Sequence, residues 1–343
     1  MAAITKERQA PPSGFRRWWN RSATTRTAWM YLAPAFIIMG VITFYPLFYQ
    51  VWMSLTDYGI TNLRLNAPPP NFVGVQNYSQ IFTGDLPVAI ANFSFWNVLA
   101  FNLIWTFTNV PFHVIIGVLI AVLLNVKGLW FKRFYRAIYI LPIVLPSLVI
   151  AVVWRNMFDS QYGAVNQFLS SIVHLFGGNP VTIRWLDQVD PIIGSFGTAI
   201  SLPLSYFALL ICNIWLGWPF MTIVATGALQ SIPGDLYEAA SIDGASSRQS
   251  FFHITVPLLR PAMIPAAVYG IVATFNLFNL IYLMSQGGPL RQTEILVTTA
   301  YRLVNEQRLY GSAAAFSVII FFVLLALTLI TNRITKATER YDL

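Results

Sequence analysis

The feature that most constrains this chain is the length of its charge-free stretches. Runs without a single Asp, Glu, Lys or Arg cover positions 27–56 (30 residues), 86–126 (41), 137–154 (18), 191–234 (44), 261–290 (30) and 309–332 (24). A helix needs about 20 apolar residues to cross the hydrocarbon of a bilayer. Charged residues are 10% of the 343 and apolar residues 56%. Soluble domains run at roughly 25% and 45–50%. So few charges cannot solvate a soluble surface of this size. The implied class is all-α, a polytopic membrane protein with about six transmembrane helices.

The spans fall at 29–55, 98–126, 134–157, 201–229, 262–284 and 314–332, which makes 29–332 the transmembrane domain. A basic segment, 1–28, precedes it and a short tail, 333–343, follows. The run 191–234 is long enough for two spans, but its first part, through Gly194, Ser195, Gly197 and Thr198, is only weakly apolar and reads as an interfacial lead-in. Charge placement tests the count. With the N-terminus inside, Lys and Arg number 6 before the first span, 4 in 127–136, 2 in 230–261 and 3 in the tail, so 15 lie inside and 6 outside. Acidic residues split 6 to 7 and carry no bias. The positive-inside rule therefore predicts a multi-pass protein of the cytoplasmic (inner) membrane with both termini and loop 230–261 cytoplasmic. Splitting the 44-residue run would put Arg333, Lys336 and Arg340 outside. The first apolar run exceeds the 7–15 residues or so of a signal-peptide core, which predicts an uncleaved anchor. Trp18 and Trp19 suit a segment on the membrane surface; a disordered basic arm fits 1–28 equally well.

Several mechanisms drop out. Cys212 is the only cysteine, so no disulfide framework or thiolate cluster exists. His113, His174 and His253 are far apart, without ligand spacing, and read as packing or interfacial residues. None of the four lysines follows a glycine, so the P-loop pattern G-x-x-x-x-G-K-[ST] is absent. No span carries a charge near its middle, where ion and proton carriers need one; Arg155 and Asp57, at span ends, read as interface anchors. Prolines 34, 46, 111, 142, 146, 203, 219 and 265 fit kinked helices around a passage. Any pumping energy must be imported.

Loop 230–261 is where it would enter. Asp235 and Glu238 have the spacing of a capping box, Gly244 suits the left-handed position that ends a helix, and Ser246 with Gln249 opens a second short helix toward Pro257. Two capped helices would form a rigid lever, although a purely structural loop could be built the same way. The residues go further. Glu238, Ala239 and Ala240, then Gly244, Ile254 and Pro257, resemble the E-A-A-x-x-x-G-x(9)-I-x-L-P signature of the membrane subunits of binding-protein-dependent ABC importers. Val256 replaces the usual Leu. The strings 45–55, 72–78, 133–142 and 287–289 are similar to the sugar-importer branch, and above all to its MalF-like, maltose/maltodextrin permease type.

That resemblance implies a permease fold of the type I importers and places 230–261 as the coupling loop, with Glu238 facing the ATPase. It implies a second, MalG-like permease subunit, two copies of a cytoplasmic ATPase and an extracytoplasmic solute-binding protein as partners. This chain would hold no cofactor and would not be an enzyme, ATP-Mg being bound by the partner ATPase. Loop 57–97 is only about 40 residues long, so it lacks the large extracytoplasmic insertion of the enteric type.

For the solute path, Asn213, Leu216, Gly217 and Phe220 share one face of span four, and Thr274, Phe275, Asn276 and Asn279 lie largely on one face of span five. Buried amides need partners. Sugar hydroxyls along a path would satisfy them, and so would neighbouring helices. The strings around them resemble the sugar-contacting segments of the maltose type, which implies that Asn213, Gly217, Phe220, Phe275, Asn276 and Asn279 meet the substrate. Phe220 stands where that type has Tyr. The expected cargo is an oligosaccharide, maltose or maltodextrin or a related α-glucoside. Other readings are a permease for trehalose or glycerol 3-phosphate, the latter needing a cation in the cavity; an ion-coupled secondary carrier, needing an intramembrane carboxylate; and a membrane enzyme, needing a His/Asp or metal constellation.

Overall fold

The computed structural model describes residues 14–87, 90, 93–126, 128–190, 193–196 and 200–335. Residues 1–13 of the basic segment, 336–343 of the tail, and Gly197 and Thr198 of the lead-in lie outside these. The chain divides into two compact units, Met1–Met53 and Ser54–Leu343.

In the first unit α1 (Gly14–Met39) passes Pro34 and runs through a π-helical turn, Gly40–Phe44, into α2 (Tyr45–Ser54). Its apolar part, Thr27–Ser54, is long enough to cross a membrane. The second unit contains α3 (Gln76–Thr83), α4 (Phe95–Asn125), α5 (Lys132–Val144), α6 (Ser147–Met157), α7 (Ala164–Leu175), a two-stranded antiparallel ribbon, β1 (Ile193–Phe196) and β2 (Ile200–Leu202), then α8 (Leu204–Ser231), α9 (Asp235–Ile242), α10 (Ser247–Ser250), α11 (Val256–Phe275), α12 (Phe278–Met284), α13 (Leu296–Asn305) and α14 (Tyr310–Thr335). Phe95–Asn125, Leu204–Ser231, Ser247–Met284 and Tyr310–Thr335 are further helical stretches long and apolar enough to span. The architecture is thus helical and polytopic, as the charge-free runs imply, with the small ribbon inside the weakly apolar lead-in.

Two spans depart from straight rods. Expected span 134–157 is the pair α5–α6, bent by 98°. Leu145 turns extended and Pro146 precedes α6. Proline lacks the N–H that would continue the ladder and pushes its predecessor out of helical geometry. Span five is the second. It starts well before the expected 262, because α10 continues through a π turn, Phe251–Thr255, into α11. Pro257 follows directly on this π turn, as the second residue of α11.

The core of the second unit forms around α4. Gly117 meets Met221 of α8 so closely that a Cβ would collide with that side chain, and a Cβ on Gly217 would enter the His113 ring. Small residues therefore let α4 and α8 approach along their length. Apolar clusters fill the remaining seams: Phe101, Trp105, Ile150, Leu209 and Ile281 join α4, α6, α8 and α12; Ala121, Met221, Ala225 and Met263 join α4, α8 and α11. Asn77, inside the 72–78 string, is a hub: Nδ2 donates to the carbonyls of Ser54 and Thr56 (2.9 and 2.8 Å), and Ser312 Oγ of α14 donates to Oδ1 (3.2 Å).

Candidate functional site: an interrupted span and a capped loop

Span five breaks in its middle. After Phe275 the helix stops, Leu277 (φ −76°, ψ 66°) forms an inverse γ-turn in which Phe278 N–H donates to Asn276 O at 2.7 Å, and α12 begins. Freed carbonyls at membrane depth must find partners or line a cavity. Two side chains of α4 supply them: Trp105 Nε1 donates to Thr274 O and Asn102 Nδ2 to Phe275 O, each at 3.2 Å. Asn102 Oδ1 also accepts from Leu296 N (2.9 Å), which ties the break to the start of α13. Neither α4 residue was marked by the sequence; their only signal was polarity within a 41-residue uncharged run.

The six path residues separate into two groups. Asn213 (3% exposed) and Phe275 (0%) are buried, and Gly217 supports the His113 ring, whose Nε2 donates to Asn213 O at 2.9 Å. That part of the span-four face packs against α4, and His113 is the packing residue expected. Asn213 Nδ2 has no partner among the described residues. The other three are more open. The Phe220 ring lies 5.3 Å from that of Tyr269, which is itself 61% exposed. Asn276, half-buried at the break, donates to Val272 O (3.1 Å), and exposed Asn279 donates to Ser147 Oγ at the start of α6 (2.9 Å). A path along the break could thus use the amides of Asn276 and Asn279 and the Phe220–Tyr269 pair, whereas Asn213 and Gly217 are reached only if α4 and α8 separate.

In loop 230–261 the local chemistry differs from expectation at one end. Gly234 is the residue before α9, and no side chain caps it, so Asp235 and Glu238 lie inside the first turn, where their charge faces the positive end of the helix dipole rather than closing a capping box. The other devices form. Gly244 is left-handed (φ +78°), with Ala245 N–H donating to Ala240 O (2.9 Å) and Gly244 N–H to Ser241 O (3.1 Å), a Schellman ending. Ser246 and Gln249 make a reciprocal capping box (3.3 and 2.8 Å). Tyr237 OH and Thr255 Oγ1 share a 2.9 Å bond that joins α9 to the π turn. Ala240 and Ile254 line a hollow of about 280 Å³ between them. Glu238, Ala239 and Gly244 are exposed, Pro257 is half-buried, and Ile242 and Phe252 present bare apolar surface.

A third locus escaped the sequence reading. Glu294, 1% exposed between α12 and α13, lies 3.1 Å from Arg291 Nε and 2.6 Å from Arg302 Nε, and accepts from Thr299 Oγ1 (3.2 Å). Arg302 also pairs with Glu306 (2.9 Å) and donates through Nη2 to Gln286 O. A Cβ on Gly287 would strike Glu294 Cγ, so the 287–289 string serves close approach to this carboxylate.

Known proteins resemble the chain over most of its length. The galactooligosaccharides transport system permease protein GanP of Bacillus subtilis (strain 168) is 31% identical over 97% of this chain and 75% of its own length. The trehalose/maltose transport system permease protein MalF of Thermococcus litoralis is 30% identical over 91% of this chain and 94% of its own. A crystal structure of a bacterial ABC transporter involved in the import of the acidic polysaccharide alginate superposes on 94% of this chain and 100% of its matched chain with a TM-score of 0.74 at 20% identity, a likeness of fold. The family described as binding-protein-dependent transport system inner membrane component matches residues 113–340, more than half the chain and all of loop 230–261. This chain belongs to that family, the membrane-spanning permease subunits of ABC importers.

Proposed function

We propose that the chain forms half of the translocation path of an ATP-driven importer for an oligosaccharide, maltodextrin or a related α-glucoside. The observation that carries this reading is the break at Asn276. It leaves the amides of Asn276 and Asn279 beside an interruption of span five, with the Phe220–Tyr269 pair between α8 and α11, and such groups meet sugar hydroxyls and ring faces without an ionic charge. The names of the relatives support a saccharide. Trehalose is the second reading, favoured by the likeness to the trehalose/maltose permease of Thermococcus litoralis. Glycerol 3-phosphate and an ion-coupled carrier both need a charge inside the spans, and the sequence offers none near the middle of any span.

In this reading loop 230–261 faces the cytoplasm and docks α9 and α10 on one of two copies of an ATPase, which binds ATP-Mg; a second permease completes the path, and an extracytoplasmic solute-binding protein delivers the sugar. Hydrolysis moves α9 and α10, and since α10 runs without interruption into span five, the motion reaches the break at Asn276. Counterflow or uptake of labelled maltotriose by the assembled transporter tests the path. Asn276→Ala should lower uptake by about three- to tenfold, the loss of one or two hydrogen bonds, with sugar affinity of the binding protein and assembly unchanged. Uptake at the wild-type rate would assign Asn276 to helix contacts alone.

A further inference from the structure

A cavity of about 240 Å³ opens where the C-terminal ends of α6 and α12 meet the segment 158–190, lined by Arg155, Asp159, Trp185, Asp187 and Gln286 among others. Its walls are held in place from both sides. Asn166 of α7, 3% exposed, donates through Nδ2 to Ser160 O and Ile183 O (2.9 Å each) and accepts from Trp185 Nε1 (2.9 Å), so the indole is locked in orientation. On the other side Arg302 holds Gln286 O and is itself fixed by Glu294. The Phe158 ring lies 5.2 Å from Trp185 and backs it from within the core.

The charged groups of the cavity have no ionic business with one another. Among the described residues Arg155, Asp159 and Asp187 form no ion pair. Asp159 Oδ1 accepts from Tyr162 N (2.7 Å) and Gln161 N (2.9 Å). These two backbone donors hold its carboxyl below the usual range, which leaves an ionised Oδ2 for an outside partner. A polar cavity that presents carboxylates, a guanidinium and an amide beside a fixed indole suits a pyranose ring, whose vicinal hydroxyls donate to carboxylate oxygens. Size sets the stoichiometry, because clefts that hold a drug-sized ligand run to roughly 300–1,000 Å³, so this one takes a single ring. Two carboxylates against one guanidinium disfavour a uronate. Position gives the role. α12 has seven residues, roughly 10 Å at 1.5 Å per residue, so the cavity lies about that far along the same helix pair from the Asn279–Ser147 contact.

We propose that this cavity is a reception site for the terminal ring of a neutral saccharide, on the extracytoplasmic face and ahead of the Asn276–Asn279 path. The proposal rests on the saccharide reading above. Its test is saturation-transfer NMR of maltotriose on the whole transporter in nanodiscs, without binding protein, run beside maltotriose uptake. The wild type should bind weakly. Trp185→Ala and Asp187→Asn should each bind about three- to tenfold more weakly, and a mannuronate trisaccharide should give no signal. Asp187→Asn keeps the side-chain shape, and labelling of buried Cys212 reports the fold of both variants. Unchanged maltotriose binding in both variants overturns the proposal, as does equal binding of the acidic trisaccharide. So does a loss of binding-protein response with saccharide binding intact, which would make the cavity a protein contact. Uptake without any wild-type signal overturns the cavity alone; neither uptake nor binding removes the saccharide reading with it.

Discussion

The two ends of span five are held by opposite kinds of chemistry. Before it, 235–255 is fastened by short-range devices: a Schellman ending at Gly244, a capping box at Ser246 and a single hydroxyl pair, Tyr237 with Thr255. All are local in sequence and mostly exposed. Beyond it, 285–306 is fastened by a buried carboxylate that draws two arginines and a threonine to one point. Local caps fix the shape of the segment, and its tie to the body is the continuous helix from α10 into α11 and the Tyr237–Thr255 bond. A buried charge network anchors a loop to the fold, because moving any member strands the others in a low-dielectric site. One end of the span is held by local contacts and the other by a buried charge network.

The sharpest way to break this contrast is at Glu294. Glu294→Ala leaves Arg291 and Arg302 facing each other without their carboxylate. Removing one partner of a buried pair costs about 3–5 kcal/mol, and arginine exposures near 20% bring this toward the lower end. The thermal midpoint read by thiol labelling of Cys212 should fall further than for any loop variant, and a midpoint equal to wild type would mean that 285–306 is not anchored. Gly244→Val comes next. No neighbour lies within 4 Å of a Cβ there, so the cost is conformational, about 1–2 kcal/mol for a left-handed non-glycine residue and more with β-branching. It should leave the Cys212 midpoint nearly unchanged while sugar-stimulated ATP hydrolysis drops; hydrolysis at the wild-type rate would remove the lever. Ser246→Ala should cost about 0.5–2 kcal/mol of local stability, visible as faster amide exchange at 247–250 with the rest of the chain unaffected. Exchange that also accelerates in 285–306 would show the two ends to be coupled.

How much of this was legible varies with the kind of force. The span count followed from charge-free runs because the bilayer imposes a length, and Gly244 and the Ser246–Gln249 box followed because caps are local rules. The Asp235–Glu238 pairing was misread by one position: both residues entered the helix behind Gly234, and a propensity rule cannot tell a cap from a first turn where only the dipole rewards the charge. The elbow after Val144 was written in Pro142 and Pro146, yet their consequence, a 98° bend, depends on packing. Asn102 and Trp105 were invisible because their partners lie 169 to 194 residues away; the partners of Glu294 are close in sequence, but nothing there announces that its carboxylate is buried. Likewise the periodicity that grouped Asn213 with Phe220 gave a face but not the neighbour it meets, and α4 lies against part of it.

The π turn at 251–255 sets a phase. Val256 N–H reaches back to Phe251 O, one residue more than an α-helix allows, so the rows of side chains on α10 and α11 are offset about the common axis. With 3.6 residues per turn, one residue is worth about 100° of rotation. Deleting a single residue between 251 and 255 would let the ladder close as a plain α-helix without shortening the apolar span. The segment 235–250 would then swing through roughly that angle and offer a different side to whatever it docks on. Its angular index to span five is thus stored in one surplus residue.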